Sequence, residues 1–247
     1  MSAPVCVTAD DVELFVRHWL HSGEPRAAVV VAHGFGASSD DAELVAVAEA
    51  LHESDFDVIT YDARGHGRSG GLCTLGDLER HDVAAAVGRA RDRSPRVVLV
   101  GASMGAIAVL RYTAGDDAVA GLVTVSCPAR WTLPRNARGV LSTLLTRTPL
   151  GRSVAARRLG VGISPKWANP EPPIVLAPRV HAPFAIVHGS VDPFIPATAA
   201  RELYCAANIP RRLDVVPGLG HALQPASVRP VLDAVEWTLA RAAVPSQ

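Results

Sequence analysis

Lysine is almost absent from this 247-residue chain: Lys166 stands alone among 24 basic side chains, and the others are arginine. With the abundance of Ala and Val, this reads as the codon usage of a high-GC genome and assigns no function. Net charge is absent as well. The 24 acidic side chains balance the 24 basic ones, so no overall field exists to hold a nucleic acid, and no nucleic-acid partner is expected. No apolar run reaches membrane-spanning length. The start, Met1-Ser2-Ala3-Pro4-Val5-Cys6, carries neither the basic segment nor the apolar stretch of a signal peptide. A soluble, cytoplasmic protein without a transmembrane segment is expected. Cysteine is sparse and scattered: Cys6, Cys73, Cys127 and Cys205 show no CxxC or CxxxxC spacing. Metal or redox chemistry would lack its ligands, so the thiols are expected to be reduced and mostly buried, with no metal site.

What the chain does have is core. Hydrophobic residues make up 49% of it, which excludes general disorder, and its length suits one large α/β domain over residues 1–247. Residues 5–8 and 12–19 flank the polar Ala9-Asp10-Asp11 as an opening hairpin. Residues 28–33, 56–61, 96–101, 120–126, 184–188 and 212–216 are short and apolar throughout, the pattern of strands covered on both faces. Helical patterns fall between them at 40–53, 75–92, 104–114, 197–207 and 227–243. Alternation of this kind predicts right-handed crossovers and a mainly parallel central sheet with helices on both faces. Residues 129–180, rich in proline, break the rhythm without starting a second core and are expected to form a small inserted lid.

G-x-S-x-G occurs twice, as Gly101-Ala102-Ser103-Met104-Gly105 and as Gly67-Arg68-Ser69-Gly70-Gly71. A nucleophile elbow needs a strand that stops at a strained serine, a helix immediately after it, and small neighbours. Arg96-Val97-Val98-Leu99-Val100 leads into the first copy and Ile107-Ala108-Val109-Leu110 continues from it; the second has no strand directly before it. Ser103 is therefore the candidate nucleophile and Ser69 a decoy. A serine hydroxyl needs an imidazole to take its proton, and the imidazole needs a carboxylate to hold its tautomer. Asp192, in His188-Gly189-Ser190-Val191-Asp192-Pro193, and His221, in Gly218-Leu219-Gly220-His221, each follow an apolar strand. In a parallel sheet both loops open on the edge that carries Ser103. Asp214 is the rival acid, disfavoured because it sits inside a strand. Backbone amides must hold the developing oxyanion. Met104, next to the nucleophile, supplies one, and Phe35, in the turn His33-Gly34-Phe35-Gly36, is the choice for the other. His33 and His188 precede glycines at strand ends and read as structural.

Taken in order, the 33–36 turn, Asp62-Ala63-Arg64-Gly65-His66-Gly67-Arg68-Ser69, the 101–105 elbow, His188-Gly189 with Asp192, and Gly220-His221 resemble the α/β-hydrolase superfamily. The resemblance implies a catalytic Ser103, Asp192 and His221, oxyanion amides at Phe35 and Met104, and no cofactor. It also implies an architectural role for the Asp62–Ser69 block. Serine at the elbow argues against the dehalogenases and epoxide hydrolases of the superfamily, which place aspartate there. A serine hydrolase of carboxylesterase or lipase type, acting on a small-molecule ester, is expected. A thioesterase or acyltransferase with the same triad, or a non-catalytic ligand-binding relative, are the alternatives.

Charge is unevenly spread. Residues 129–180 carry Arg130, Arg135, Arg138, Arg147, Arg152, Arg157, Arg158, Lys166 and Arg179 against Glu171 alone. A basic lid could draw in an anionic acyl substrate, with Arg157 and Arg158 as its binding residues, or meet a membrane surface through the interspersed leucines. A solvated face that pairs with an acidic body or a second subunit is the preferred reading.

Overall fold

The chain alternates strand and helix from β1 (Val5–Val7) and β2 (Glu13–Trp19), an antiparallel hairpin, onward. A computed structural model describes residues 5–116, 118–131, 137–166 and 168–242. The other strands are β3 (Ala28–Ala32), β4 (Asp57–Tyr61), β5 (Val97–Ala102), β6 (Gly121–Val125), β7 (Phe184–Gly189) and β8 (Arg211–Val216). All eight form one sheet in the order β1-β2-β4-β3-β5-β6-β7-β8, parallel from β4 to β8.

Both faces of the sheet are covered, which is why its central strands are apolar at every position. In β3, Ala28, Val30 and Ala32 point into one core with α2 (Glu79–Arg91) and α3 (Met104–Thr113). Val29 and Val31 point into the other, with α1 (Ala42–His52) and α8 (Val228–Leu239). Each such valine contributes about 1.5–3 kcal/mol relative to exposure. A polar residue in β3 would therefore disrupt a core whichever face it met.

The structure departs from the expected pattern at one strand and at two helix ends. β8 is only half-buried along its whole length. It is the sheet's edge, and Arg212 spends its guanidinium on Asp214 at 2.8 Å. The helix expected from residue 75 begins at Glu79. Leu75 and Gly76 have φ of 60° and 94°, which no helix accepts. The Glu79 carboxylate fastens this turn by accepting from the Thr74 amide (2.6 Å), the Thr74 hydroxyl (2.6 Å) and the Gly76 amide (2.9 Å). At the far end, α8 stops at Leu239, and Ala243 of the expected 227–243 helix lies outside the described residues.

Between β6 and β7 the chain forms α4 (Ala137–Arg147), α5 (Pro149–Leu159) and the single turn α6 (Pro173–Leu176). α4 and α5 make a tight hairpin. Thr148 caps α5 by accepting from the Gly151 amide at 2.9 Å, Pro149 takes the first helical position, and Gly151 lies against the Leu144 carbonyl with no room for a Cβ. Gly160, at φ 66°, ends α5. The segment beyond it is stitched to the body: the Cys73 amide donates to Gly162 O at 2.7 Å, the Ser164 amide to Cys73 O at 2.8 Å and the Gly162 amide to Gly65 O at 2.8 Å. Arg135 and the side chain of Arg138 lie outside what is described. Finally, α7 (Ala197–Ala206) packs on β7 and β8. Among the described residues no helix is long and apolar enough to cross a membrane.

Candidate active site

β5 stops at Ala102 and α3 starts at Met104, which leaves Ser103 alone to make the turn between them. Its backbone takes φ 52° and ψ −110°, a conformation that side chains other than glycine's rarely adopt. The Ser103 amide holds the turn by donating to Val125 O at 2.9 Å. Close chain crossings explain the flanking glycines. A Cβ on Gly101 would strike Gly105, and one on Gly105 would strike the Ala32 and His33 carbonyls.

The loops after β7 and β8 bring the partners in. His221 Nε2 lies 2.9 Å from Ser103 Oγ, and His221 Nδ1 lies 2.8 Å from Asp192 Oδ2. The Asp192 side chain is fully buried, and its other oxygen accepts from the Phe194 and Ile195 amides at 2.8 and 2.9 Å. Burial works against its charge. The hydrogen bond and charge of His221 and the two amides outweigh burial, and hold Asp192 below the ordinary aspartate range. An ionised Asp192 requires the proton on Nδ1, which turns Nε2 towards Ser103 as an acceptor. Asp214, the rival, is on β8 with Arg212.

The turn after β3 is held by two buried imidazoles. His33 Nε2 accepts from the Ala63 amide at 2.9 Å while Nδ1 donates to Gly34 O at 2.7 Å. His66 Nε2 accepts from the Gly36 amide at 3.2 Å. Since an amide can only donate, both rings must be neutral here. Burial, reinforced by neighbouring His66, pushes His33 down to about 4, and burial lowers His66 too. The turn leaves the Phe35 amide without an acceptor among the described residues, and the Met104 amide is likewise free. His188, also a strand-end histidine, donates from Nε2 to Ile195 O at 2.9 Å and so braces the Asp192 loop.

A cavity of about 400 Å³ opens at Ser103 and His221. Phe35, Leu44, Phe194 and Leu223 give it apolar walls, and Asp41 and Glu43 give it negative charge; among the described residues no Lys or Arg lines it. Phe194, Asp41 and Glu43 escape motif reading. Their one signal is position, just beyond the 33–36 turn and Asp192, in loops that open on the elbow's edge. Arg157 and Arg158 are not brought to this cavity. Both are exposed on α5, because that helix packs on α4 through Gly151 and Ala155 and contributes no wall residue. Cys6, Cys73 and Cys127 are buried free thiols and Cys205 is exposed.

The sheet and its flanking helices define an α/β hydrolase. The structure of the Pyrococcus furiosus esterase Pf2001 superposes with a TM-score of 0.76 over 97% of this chain and 90% of that one, at 22% identity, a likeness of fold. The family model described as serine aminopeptidase, S33, matches residues 23–169. An uncharacterized protein of Mycobacterium tuberculosis is 30% identical over 98% of this chain and 80% of its own length. The monoacylglycerol lipase of Mycolicibacterium smegmatis is 28% identical over 82% of this chain and 84% of its own. The chain belongs to the S33 serine aminopeptidase-like family of α/β hydrolases.

Proposed function

We propose that this protein is a serine esterase that cleaves a neutral carboxylic ester through an acyl-enzyme. The observation that carries the reading is the unbroken relay from Ser103 Oγ through His221 to buried Asp192, at 2.9 and 2.8 Å, on the floor of an open cavity. Ser103 Oγ attacks the ester carbonyl as its proton passes to His221 Nε2. The carbonyl oxygen becomes an oxyanion, held by the Phe35 and Met104 amides, each worth about 3 kcal/mol by mutational precedent. As the tetrahedral intermediate collapses, the C–O bond breaks and the alkoxide leaves with the proton from His221. Water then gives its own proton to His221, attacks the acyl carbon and releases the acid, and the proton returns to Ser103.

A 400 Å³ cavity suits a small to medium ester, and its acidic, partly aromatic wall suits a neutral one. Ester hydrolysis is the activity named in the monoacylglycerol lipase relative. The chain acts as one unit, and the described residues of the 129–180 insertion pack over the Cys73 loop and contribute no wall residue to the cavity. A thioesterase or acyltransferase would use the same relay. Labelling with a fluorophosphonate, followed by ester and thioester turnover in parallel, tests the reading. Ser103 should carry the label and esters should turn over faster. An unlabelled Ser103 in folded protein would overturn it in favour of a binding role.

A further inference from the structure

The chain's one lysine lines a second cavity, which shares no wall residue with the first. Its volume is about 150 Å³, room for roughly five waters at about 30 Å³ each, too little for an acyl chain of any length. One wall is the body loop at residues 73–75. The other belongs to the insertion: Arg147 at the end of α4, Arg152 in α5, and residues 163–166. Arg147, Arg152 and Lys166 thus all line one small space, and no carboxylate does among the described residues. Of the two acids that follow that loop, Asp77 pairs with Arg80 at 3.2 Å and Glu79 has its oxygens committed to Thr74 and Gly76.

Its lining residues carry unused donors. Arg152 gives one N–H to Arg147 O at 3.3 Å and keeps the rest of its fork. The Lys166 ammonium has no hydrogen-bond or ion-pair partner among the described residues, and Ser164 Oγ accepts from the Lys166 amide at 3.2 Å while its hydroxyl hydrogen stays available. Placing the charges of Arg152 and Lys166 in one lining is unfavourable unless a counter-charge joins them. A planar arginine fork beside a compact ammonium and a hydroxyl is the donor set that recognises a phosphoryl group.

We propose that this cavity binds a phosphate dianion, free or as the phosphomonoester end of a small molecule. Its donors come from the insertion, and its far wall includes Cys73, whose Sγ is 3.5 Å from Met104 Sδ beside the elbow. The bound anion therefore clasps the insertion onto the body next to the active site.

Calorimetric titration of the whole chain with inorganic phosphate, and separately with glycerol 3-phosphate, at ionic strength matched by sodium chloride, tests this. Saturable one-site binding is expected, with a rise in Tm that chloride does not give. Tighter binding of glycerol 3-phosphate identifies a phosphomonoester ligand; tighter binding of phosphate identifies the free ion. Arg152→Gln with Lys166→Gln should raise Kd at least tenfold, and Lys166→Gln alone, on an exposed residue, severalfold. Arg157→Gln with Arg158→Gln, on the same helix outside the cavity, should leave Kd unchanged. Absence of saturable binding by either anion, or an equal loss in the Arg157/Arg158 variant, overturns the proposal. The esterase reading would stand in either case, since fluorophosphonate labelling of Ser103 does not depend on this site.

Discussion

Ser69 Oγ accepts the Phe15 amide at 2.9 Å and donates to the Asp62 carbonyl at 2.5 Å, so the serine of the second G-x-S-x-G is spent on joining β2 to the turn after β4. Ser69→Ala should leave an unpaired amide and destabilise the fold by about 1–3 kcal/mol, with fluorophosphonate labelling retained. Ser103→Ala should do the opposite, lowering kcat by a thousandfold to a millionfold with stability kept. Urea unfolding and ester turnover measured on both variants decide between them; equal loss of kcat would show the wrong elbow.

Asp192→Asn should depress kcat by about ten-thousandfold, because an amide at this position lets His221 take the wrong tautomer. Asp214→Asn should be nearly silent in kcat, since it loosens only the Arg212 contact at the sheet's edge. Steady-state kinetics with the two variants side by side check the assignment of the acid.

Stability should fall in mild acid through the buried histidines. His33 holds its folded value at about 4, below its ordinary 6.5, so the unfolded chain takes the proton first. The stabilisation is complete above about pH 6.5 and is lost as pH falls towards about 4, up to about 3 kcal/mol in all. Unfolding in urea at about pH 7.5 and about pH 4.5 measures the slope. His33→Gln can still donate to Gly34 and accept from Ala63 but cannot titrate, and should flatten it.

Asp41 and Glu43 in the cavity wall should set the enzyme against anionic esters. A carboxylate-bearing ester should show lower kcat/KM than a neutral one of equal chain length. Added salt should narrow the gap by up to about fivefold, the range for exposed charge pairs of about 0.2–1 kcal/mol. Asp41→Asn with Glu43→Gln should narrow it similarly, while Arg157→Gln with Arg158→Gln leaves both rates unaltered. A fall in anionic-ester turnover with salt would reverse the sign of the wall's effect.

The candidate relay was legible in sequence because each member closely follows an apolar strand, and a run of Val, Ile or Leu with Gly soon after leaves a local trace of that position. The same locality explains what escaped. Asp41, Glu43 and Phe194 reach the cavity through loop paths that no periodicity encodes. The basic excess of residues 129–180 is visible as composition, yet composition does not say which way a helix faces: Arg152 turns to a cavity and Arg157 to solvent. At the start of α2 a tertiary tie, Glu79 onto the amides of Thr74 and Gly76, overrides helical patterning. Leu213, Val215 and Val216 give β8 the apolar look of a covered strand, and only its place in the strand order makes it an edge.

A fold shaped for persistence alone would put glycine at residue 103. With φ at 52°, Ser103 holds strain of about 1–3 kcal/mol that glycine would release, less about 0.5–1 kcal/mol for glycine's greater freedom when unfolded. Ser103→Gly should therefore melt at a temperature equal to or above that of the parent while hydrolysing nothing. A heat-resistance screen run without an activity filter would enrich that change, and in doing so would mark a backbone position where durability and turnover select in opposite directions.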